Sequence, residues 1–202
     1  MTTVRQQNFL VRKEKILAMA ETLLLDNHQD ITLSELASEL DIAKGTIYKH
    51  FKSKNQLYLE LIILNEKRLL DISKNYNHDI KTYVSQYMLY NMLNSNRTIL
   101  LHVIEERLTN NERKLKDLFE ELYSVREQRI LEIKDLFADY LKASNSIMSI
   151  RDYLSYIWTV TYGASLLLNS THYQKSIGSR ERLIKLYVNQ ALMTPDKIST
   201  HN

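Results

Sequence analysis

From Lys44 to Lys54 the chain reads Lys-Gly-Thr-Ile-Tyr-Lys-His-Phe-Lys-Ser-Lys, four lysines and a histidine with no acid among them. Residues 1–43 hold four basic against seven acidic side chains, so the positive charge rises abruptly at Lys44. A cluster of ammonium groups suits the binding of an anionic partner, although a solvated lysine run is the more frequent meaning of such a segment. Placement decides between the two. Ile47 and Phe51 lie four residues apart and mark one side of a short helix, which leaves Thr46, Tyr48, Lys49 and His50 on or near the other. Those side chains have the reach and the donors to enter a major groove. Gly45 has no Cβ and would let the backbone at the helix start approach a phosphate, and Lys54 could pair with the same strand. Tyr48 has two readings, a hydroxyl donated to a phosphate or a ring half-packed on the core.

Three other groups of residues could do chemistry. His102, Glu105 and Glu106 sit one helical turn apart and could converge on a metal, but exposed charge is the simpler account and no metal or cofactor is expected. Tyr83, Tyr87 and Tyr90 recur at i, i+4 and i+7. Such a stripe serves most often as core or interface packing; the alternative is the wall of an amphipathic pocket, shared with Met88, Met92, Trp158 and Tyr162. Arg126 and Arg129 fall near the apolar stripe of Leu118, Leu122, Ile133 and Phe137. Either they snorkel to solvent, or at least one is partly buried and needs an acidic partner or an anionic ligand. With no cysteine, the chain has no disulfide, thiolate nucleophile or thiolate-ligated metal. It also lacks a glycine-rich phosphate loop, so an enzyme is not expected.

The elements that must carry these groups are helices. Three glycines and one proline among 202 residues leave few breakers, and the expected class is all-α with about nine helices. No apolar run approaches the ~18 residues of a membrane span, and the chain reads as cytoplasmic. The net charge of +3 is too small to argue for nucleic acid by itself. A first amphipathic helix is expected over Phe9–Asp26. Thr32 and Glu35 form a capping box before a helix over Leu33–Leu40, and Asp41, Ile42 and Ala43 leave room only for a tight turn before Lys44–Phe51. Ser53 and Gln56 repeat the capping logic at the head of a connector helix running to about Ser73 with no Gly or Pro in it. Further helices are expected near Asp79–Leu93, Arg97–Thr109, Glu112–Leu141, Ile150–Ser170 and Arg180–Met193. Polar connections are expected at Asn94–Asn96, Asn110–Asn111, Ser144–Ser146 and Ser176–Ser179, with a loose tail from Thr194.

On these residues the segment Ile31–Ile62, most densely Ile42–Leu57, resembles the helix-turn-helix of the TetR (tetracycline-repressor) family. Its pattern is Thr32, Ala37, Leu40, a three-residue turn, Lys-Gly-Thr-Ile-Tyr, His-Phe and Ser-Lys with Leu57. The resemblance implies a three-helix DNA-reading unit over residues 1–53 and a helical ligand-binding and dimerisation domain over 54–202. It implies DNA contacts at Thr32, Lys44, Gly45, Thr46, Tyr48, Lys49, His50 and Lys54. Ala43 departs from the pattern, since many members place a capping serine there.

In the C-terminal part, Ile157, Thr161, Ala164 and Leu168, then Leu183, Tyr187 and Ala191, combine apolar faces with small residues. The pattern fits an internal core or an interface, and the resemblance favours a homodimer paired through the last two long helices. The resemblance also implies an unidentified small-molecule effector, in a pocket assigned to Tyr83, Tyr87, Met88, Tyr90, His102, Arg126, Trp158 and Tyr162. The expected function is a ligand-responsive repressor on a palindromic double-stranded operator. The alternative is a chromosome-binding structural or division-control factor of the same fold without induction.

Overall fold

The computed structural model of the chain describes residues 3–27, 30–109, 113–176 and 178–193. The expected connection at Asn110–Asn111, the expected helix start at Glu112 and the tail from Thr194 lie outside the described residues. Within that range the backbone forms ten α-helices and no strand, the all-α class that the composition predicts. They are α1 (Val4–Asn27), α2 (Leu33–Glu39), α3 (Lys44–His50), α4 (Lys54–Lys74), α5 (Ile80–Leu93), α6 (Ser95–Thr109), α7 (Lys116–Ala143), α8 (Ile150–Asn169), α9 (Thr171–Ser176) and α10 (Arg180–Met193), with a 3-10 turn at Arg113–Leu115. The described residues divide into two compact units, one holding those up to Asn65 together with those between Leu100 and Leu122, the other Glu66–Ile99 and those between Tyr123 and Met193.

In the first unit, helix α1 begins at Val4 rather than Phe9 because Thr3 and Gln6 cap it reciprocally: the Gln6 N–H donates to Thr3 Oγ1 at 3.3 Å and the Thr3 N–H to Gln6 Oε1 at 2.8 Å. Helix α2 starts on the expected capping box, with Glu35 N–H to Thr32 Oγ1 at 3.1 Å and Thr32 N–H to Glu35 Oε2 at 2.7 Å, a device worth about 1 kcal/mol. It stops in a Schellman turn. The Ile42 N–H reaches Ala37 O at 3.0 Å and the Asp41 N–H reaches Ser38 O at 3.1 Å, with Asp41 at φ 51° in the left-handed region that Asp tolerates better than most residues. At the head of α4 the expected box is offset by one: Ser53 Oγ accepts from Gln56 N–H, but the Gln56 side chain reaches back to the Lys52 N–H at 2.9 Å. The core of this unit gathers Ile16, Ala20 and Leu24 of α1, Leu36 of α2, Ile47 and Phe51 around α3, Leu57 and Leu61 of α4, and Leu101, Ile104 and Leu108 of α6.

The second unit packs α5 against both α8 and α10, and α8 against α10. Its core joins Tyr83, Val84 and Met88 to Ile133 and Phe137, and both sets to Tyr153, Ile157 and Ala164. Buried phenols find backbone partners: Tyr153 Oη donates to Ala191 O at 2.7 Å, and Tyr140 Oη to Leu192 O at 2.6 Å, which ties the end of α10 to α7 and α8. Helix α8 opens on a capping box of Ser149 and Asp152. Arg180 closes α5 by donating to Met92 O and Leu93 O, the favourable pairing of a cation with a helix C-terminus. Helix α9 lies between the expected helices Ile150–Ser170 and Arg180–Met193, where the sequence pattern predicts no helix. Among the described residues no helix is long and apolar enough to cross a membrane.

Candidate nucleic-acid interface

Helix α3 is held from behind. Ile47 and Phe51 are fully buried in the first unit's core, so the helix cannot rotate without exposing both. That fixes Lys44 and Tyr48 on one outward line, and Gly45 and Lys49 on the next. All four are exposed, Tyr48 to 48%. Thr46 is half-buried. A Cβ built on Gly45 meets nothing within 4 Å, so the space before that backbone is open. Ala43 makes no side-chain bond to the start of α3.

Three of the expected contact residues, His50, Lys54 and Thr32, carry other duties. His50 turns toward α1 and stacks on Phe9, with ring centroids 4.0 Å apart and planes 29° apart, and its Nδ1 is buried without a partner. Burial, then the neighbouring Arg12 and Lys13, hold its pKa below the ordinary 6.5 against the opposing pull of Glu60. It is therefore mainly neutral at neutral pH. Lys54 donates to Asp30 Oδ2 at 2.8 Å and lies 5.5 Å from the Tyr58 ring centroid. Asp30 also accepts from Tyr58 Oη at 2.7 Å and faces Arg107 at 3.5 Å. Burial pushes the Asp30 carboxyl up, but the bonds from Lys54 and Tyr58 and the charges of Lys54 and Arg107 outweigh it and hold the pKa below 3.8. Tyr58 Oη accepts in turn from the Ile31 N–H at 3.1 Å. Thr32, exposed, spends its oxygen on the α2 cap. Lys52, exposed in the turn after α3, belongs to the same cationic surface and to the same charge run, although it is not among the contacts that the resemblance implies.

The second unit holds a cavity of about 420 Å³ between α5, α7 and α8. Of the residues assigned to a pocket, Tyr83, Tyr87 and Trp158 line it, joined by Arg129, Ile130, Ile133, Leu154 and Ile157. The other five stand elsewhere. Met88 is fully buried in the core, Tyr90 lies under Arg97 at 4.6 Å, Tyr162 stacks on Trp158 at 5.4 Å, and Arg126 binds Glu66. His102 belongs to the first unit. Among the described residues no three His, Cys, Asp or Glu side chains converge to hold a metal.

The residues assigned to the dimer interface face inward. Ile157, Thr161, Ala164, Leu168, Leu183 and Ala191 are all buried within the second unit, and Tyr187 is half-buried there. The small residues seat α8 and α10 against α5 and against each other. The exposed apolar positions of the same two helices are Trp158, Leu166, Leu186 and Met193, which the period alone did not separate from the inward set.

The family model described as "Bacterial regulatory proteins, tetR family" matches residues 16–61, the span from the core face of α1 through α2 and α3 into α4. The chain is 33% identical over 82 residues to the HTH-type transcriptional regulator QacR of Staphylococcus aureus (strain Mu50 / ATCC 700699). That similarity covers 40% of this chain and 44% of the relative, so the chain matches less than half of that relative's length. Residues 16–61 thus carry the similarity to the tetR family of bacterial regulatory proteins, and the remainder of the chain lies outside that match.

Proposed function

We propose that this chain is a cytoplasmic, DNA-binding transcriptional regulator, a homodimer that represses from a palindromic operator and is released by a small molecule. The observation that carries the reading is the outward face of α3, where Lys44, Tyr48 and Lys49 stand exposed around the open backbone of Gly45. Exposed ammonium groups on a short, rigidly backed helix are what a duplex contact requires, because phosphate neutralisation supplies affinity and base edges supply choice. In this reading Lys44 and Lys49 meet the duplex directly. His50 and Lys54 position the reading surface, His50 against α1 and Lys54 against Asp30.

A homodimer would carry two copies of α3, and a palindrome with half-sites about one turn apart, ~34–36 Å or somewhat more, answers that symmetry. The exposed apolar residues of α8 and α10 supply a surface for the second copy. Release calls for a ligand with unequal affinity for two arrangements of the dimer. The cavity beside Tyr83 and Trp158 favours this reading over a chromosome-binding factor without induction. Helix α4, with no Gly or Pro between Lys54 and Lys74, contributes to the cores of both units and could carry a rearrangement as a stiff rod.

The test is selection of duplex sites from a random pool by the purified chain, followed by anisotropy titration across salt. A palindromic consensus bound two protomers at a time, with affinity falling steeply as salt rises, is the expected result. Equal, weak binding to every duplex would remove the operator reading.

A further inference from the structure

The polar groups behind the cavity are left incompletely paired. Glu66 of α4 is buried, and its Oε1 is taken by Arg126, at 3.0 Å from Nη2 and 3.1 Å from Nε. Its Oε2 lies 3.5 Å from Arg129 Nη2 with no hydrogen bond, and Arg129 Nε is buried and donates to nothing. Only 16% of the Arg129 side chain is exposed, and the guanidinium sits 5.6 Å from the Tyr87 ring centroid. Buried guanidinium donors are nearly always satisfied, so an orphan on the wall of a cavity calls for an explanation.

Charge and shape together indicate the missing partner. One carboxylate, Glu66, faces the two guanidinium groups of Arg126 and Arg129, so the set carries a net positive charge that disfavours a cation in the cavity. Burial raises the Tyr87 phenol and pushes Tyr83 up to about 12, so both keep their protons and remain able to donate. The remaining wall is mainly apolar, with Ile130, Ile133, Leu154, Ile157 and Trp158, and adds the two hydroxyl residues Ser155 and Thr159. The volume of about 420 Å³ lies at the small-molecule end of the usual range for ligand sites.

We infer that the effector is a monoanionic organic acid with an apolar or aromatic body, whose carboxylate docks on Arg129 and the Tyr83 and Tyr87 phenols while its body lies against Trp158. This rests on the reading of the cavity as the effector site. An acid would accept from the orphan Nε and balance the second guanidinium, which the single Glu66 carboxylate leaves in excess, and guanidinium pairs with carboxylate in a forked, charge-assisted geometry.

Trp158 is the sole tryptophan of the chain, so its emission reports on this wall directly. The full-length protein is titrated with 4-phenylbutanoate, 4-phenylbutanamide and 4-phenylbutylammonium, which share a body and differ in the head group. The expected result is saturable quenching by the carboxylate, with the amide and the ammonium weaker by about tenfold or more, the usual scale of a lost charge-assisted hydrogen bond. Arg129→Met should abolish the preference, and Arg129→Lys, which keeps a charge but lacks the fork, should retain only part of it. Thermal melts and duplex binding of both variants establish that they are folded. No binding by the carboxylate, equal affinity for the amide, tighter binding of the ammonium, or a preference that survives Arg129→Met overturns the inference. Duplex release, followed separately, tests the regulator reading: a carboxylate that binds through Arg129 without loosening DNA sinks the switch and leaves the acid site standing.

Discussion

The two units handle charge in opposite ways. The first displays it: Lys44 and Lys49 project from α3 into water, and its carboxylate Asp30 is ringed by Lys54, Tyr58 and Arg107 at a half-exposed position. The second buries it: Glu66 is buried and Arg129 largely so, with Arg126 half-buried beside them, and one acceptor oxygen and one donor nitrogen are unmatched. Exposed cations cost little to maintain and gain by releasing counterions from a polyanion, so they suit a long, hydrated partner. Buried charges cost several kcal/mol each unless paired, so an incomplete buried set suits a small partner that enters and completes it. Charge placement, rather than charge count, separates the two candidate sites.

The comparison can be broken most forcefully at the second unit's last helix. Leu183→Asp places a carboxylate in a core position 5% exposed and is expected to unfold that unit, at a cost of about 4 kcal/mol or more. Leu186→Asp, three residues on and exposed, should leave each protomer folded and weaken the homodimer. Urea melts read the first and sedimentation reads the second. A folded, monomeric Leu183→Asp protein would mean that this side chain faces a partner after all.

Next in size are the lysines. Lys44→Ala and Lys49→Ala are each expected to lower the slope of log affinity against log salt by about one, a several-fold loss at moderate salt. Lys54→Ala should change that slope less, because its ammonium is already held by Asp30, and should lower stability instead. If anisotropy titrations show Lys54 with the full slope change and Lys49 with none, the assignment of the reading surface is reversed.

Tyr58→Phe removes a donor to Asp30 and an acceptor for the Ile31 N–H. A loss of about 1–3 kcal/mol is expected in denaturant melts, with the salt slope unchanged. An altered slope would show that this cluster touches DNA rather than supporting the unit.

The smallest effect is a titration. His50 has its folded pKa held below 6.5 by burial and by Arg12 and Lys13, so the unfolded chain takes the proton first. Its contribution to stability is complete above the ordinary histidine value, falls as pH drops through it, and levels off below the folded value. Phe9→Ala, which uncovers the ring, should raise the midpoint in a proton NMR titration. A midpoint above 6.5 in the intact protein would contradict the stacked geometry.

What the sequence determined by itself is local. The Thr32–Glu35 box, the turn through Asp41, and the division of α3 into an Ile47–Phe51 side and a Lys44–Lys49 side all follow from relations three to five residues apart, which helical geometry converts directly into space. Two further caps, Thr3 with Gln6 and Ser149 with Asp152, rest on the same three-residue spacing. Only tertiary structure decided where each polar group is spent. Lys54 meets Asp30 across 24 residues, Arg126 meets Glu66 across 60, and His50 turns back to Phe9. Tertiary structure likewise decided that the small residues of α8 and α10 close their own core and that Arg129, rather than Tyr90 or His102, faces the cavity. A period of 3.6 tells which side of a helix is apolar; what covers that side is set by chain segments far away, whose approach no local pattern encodes.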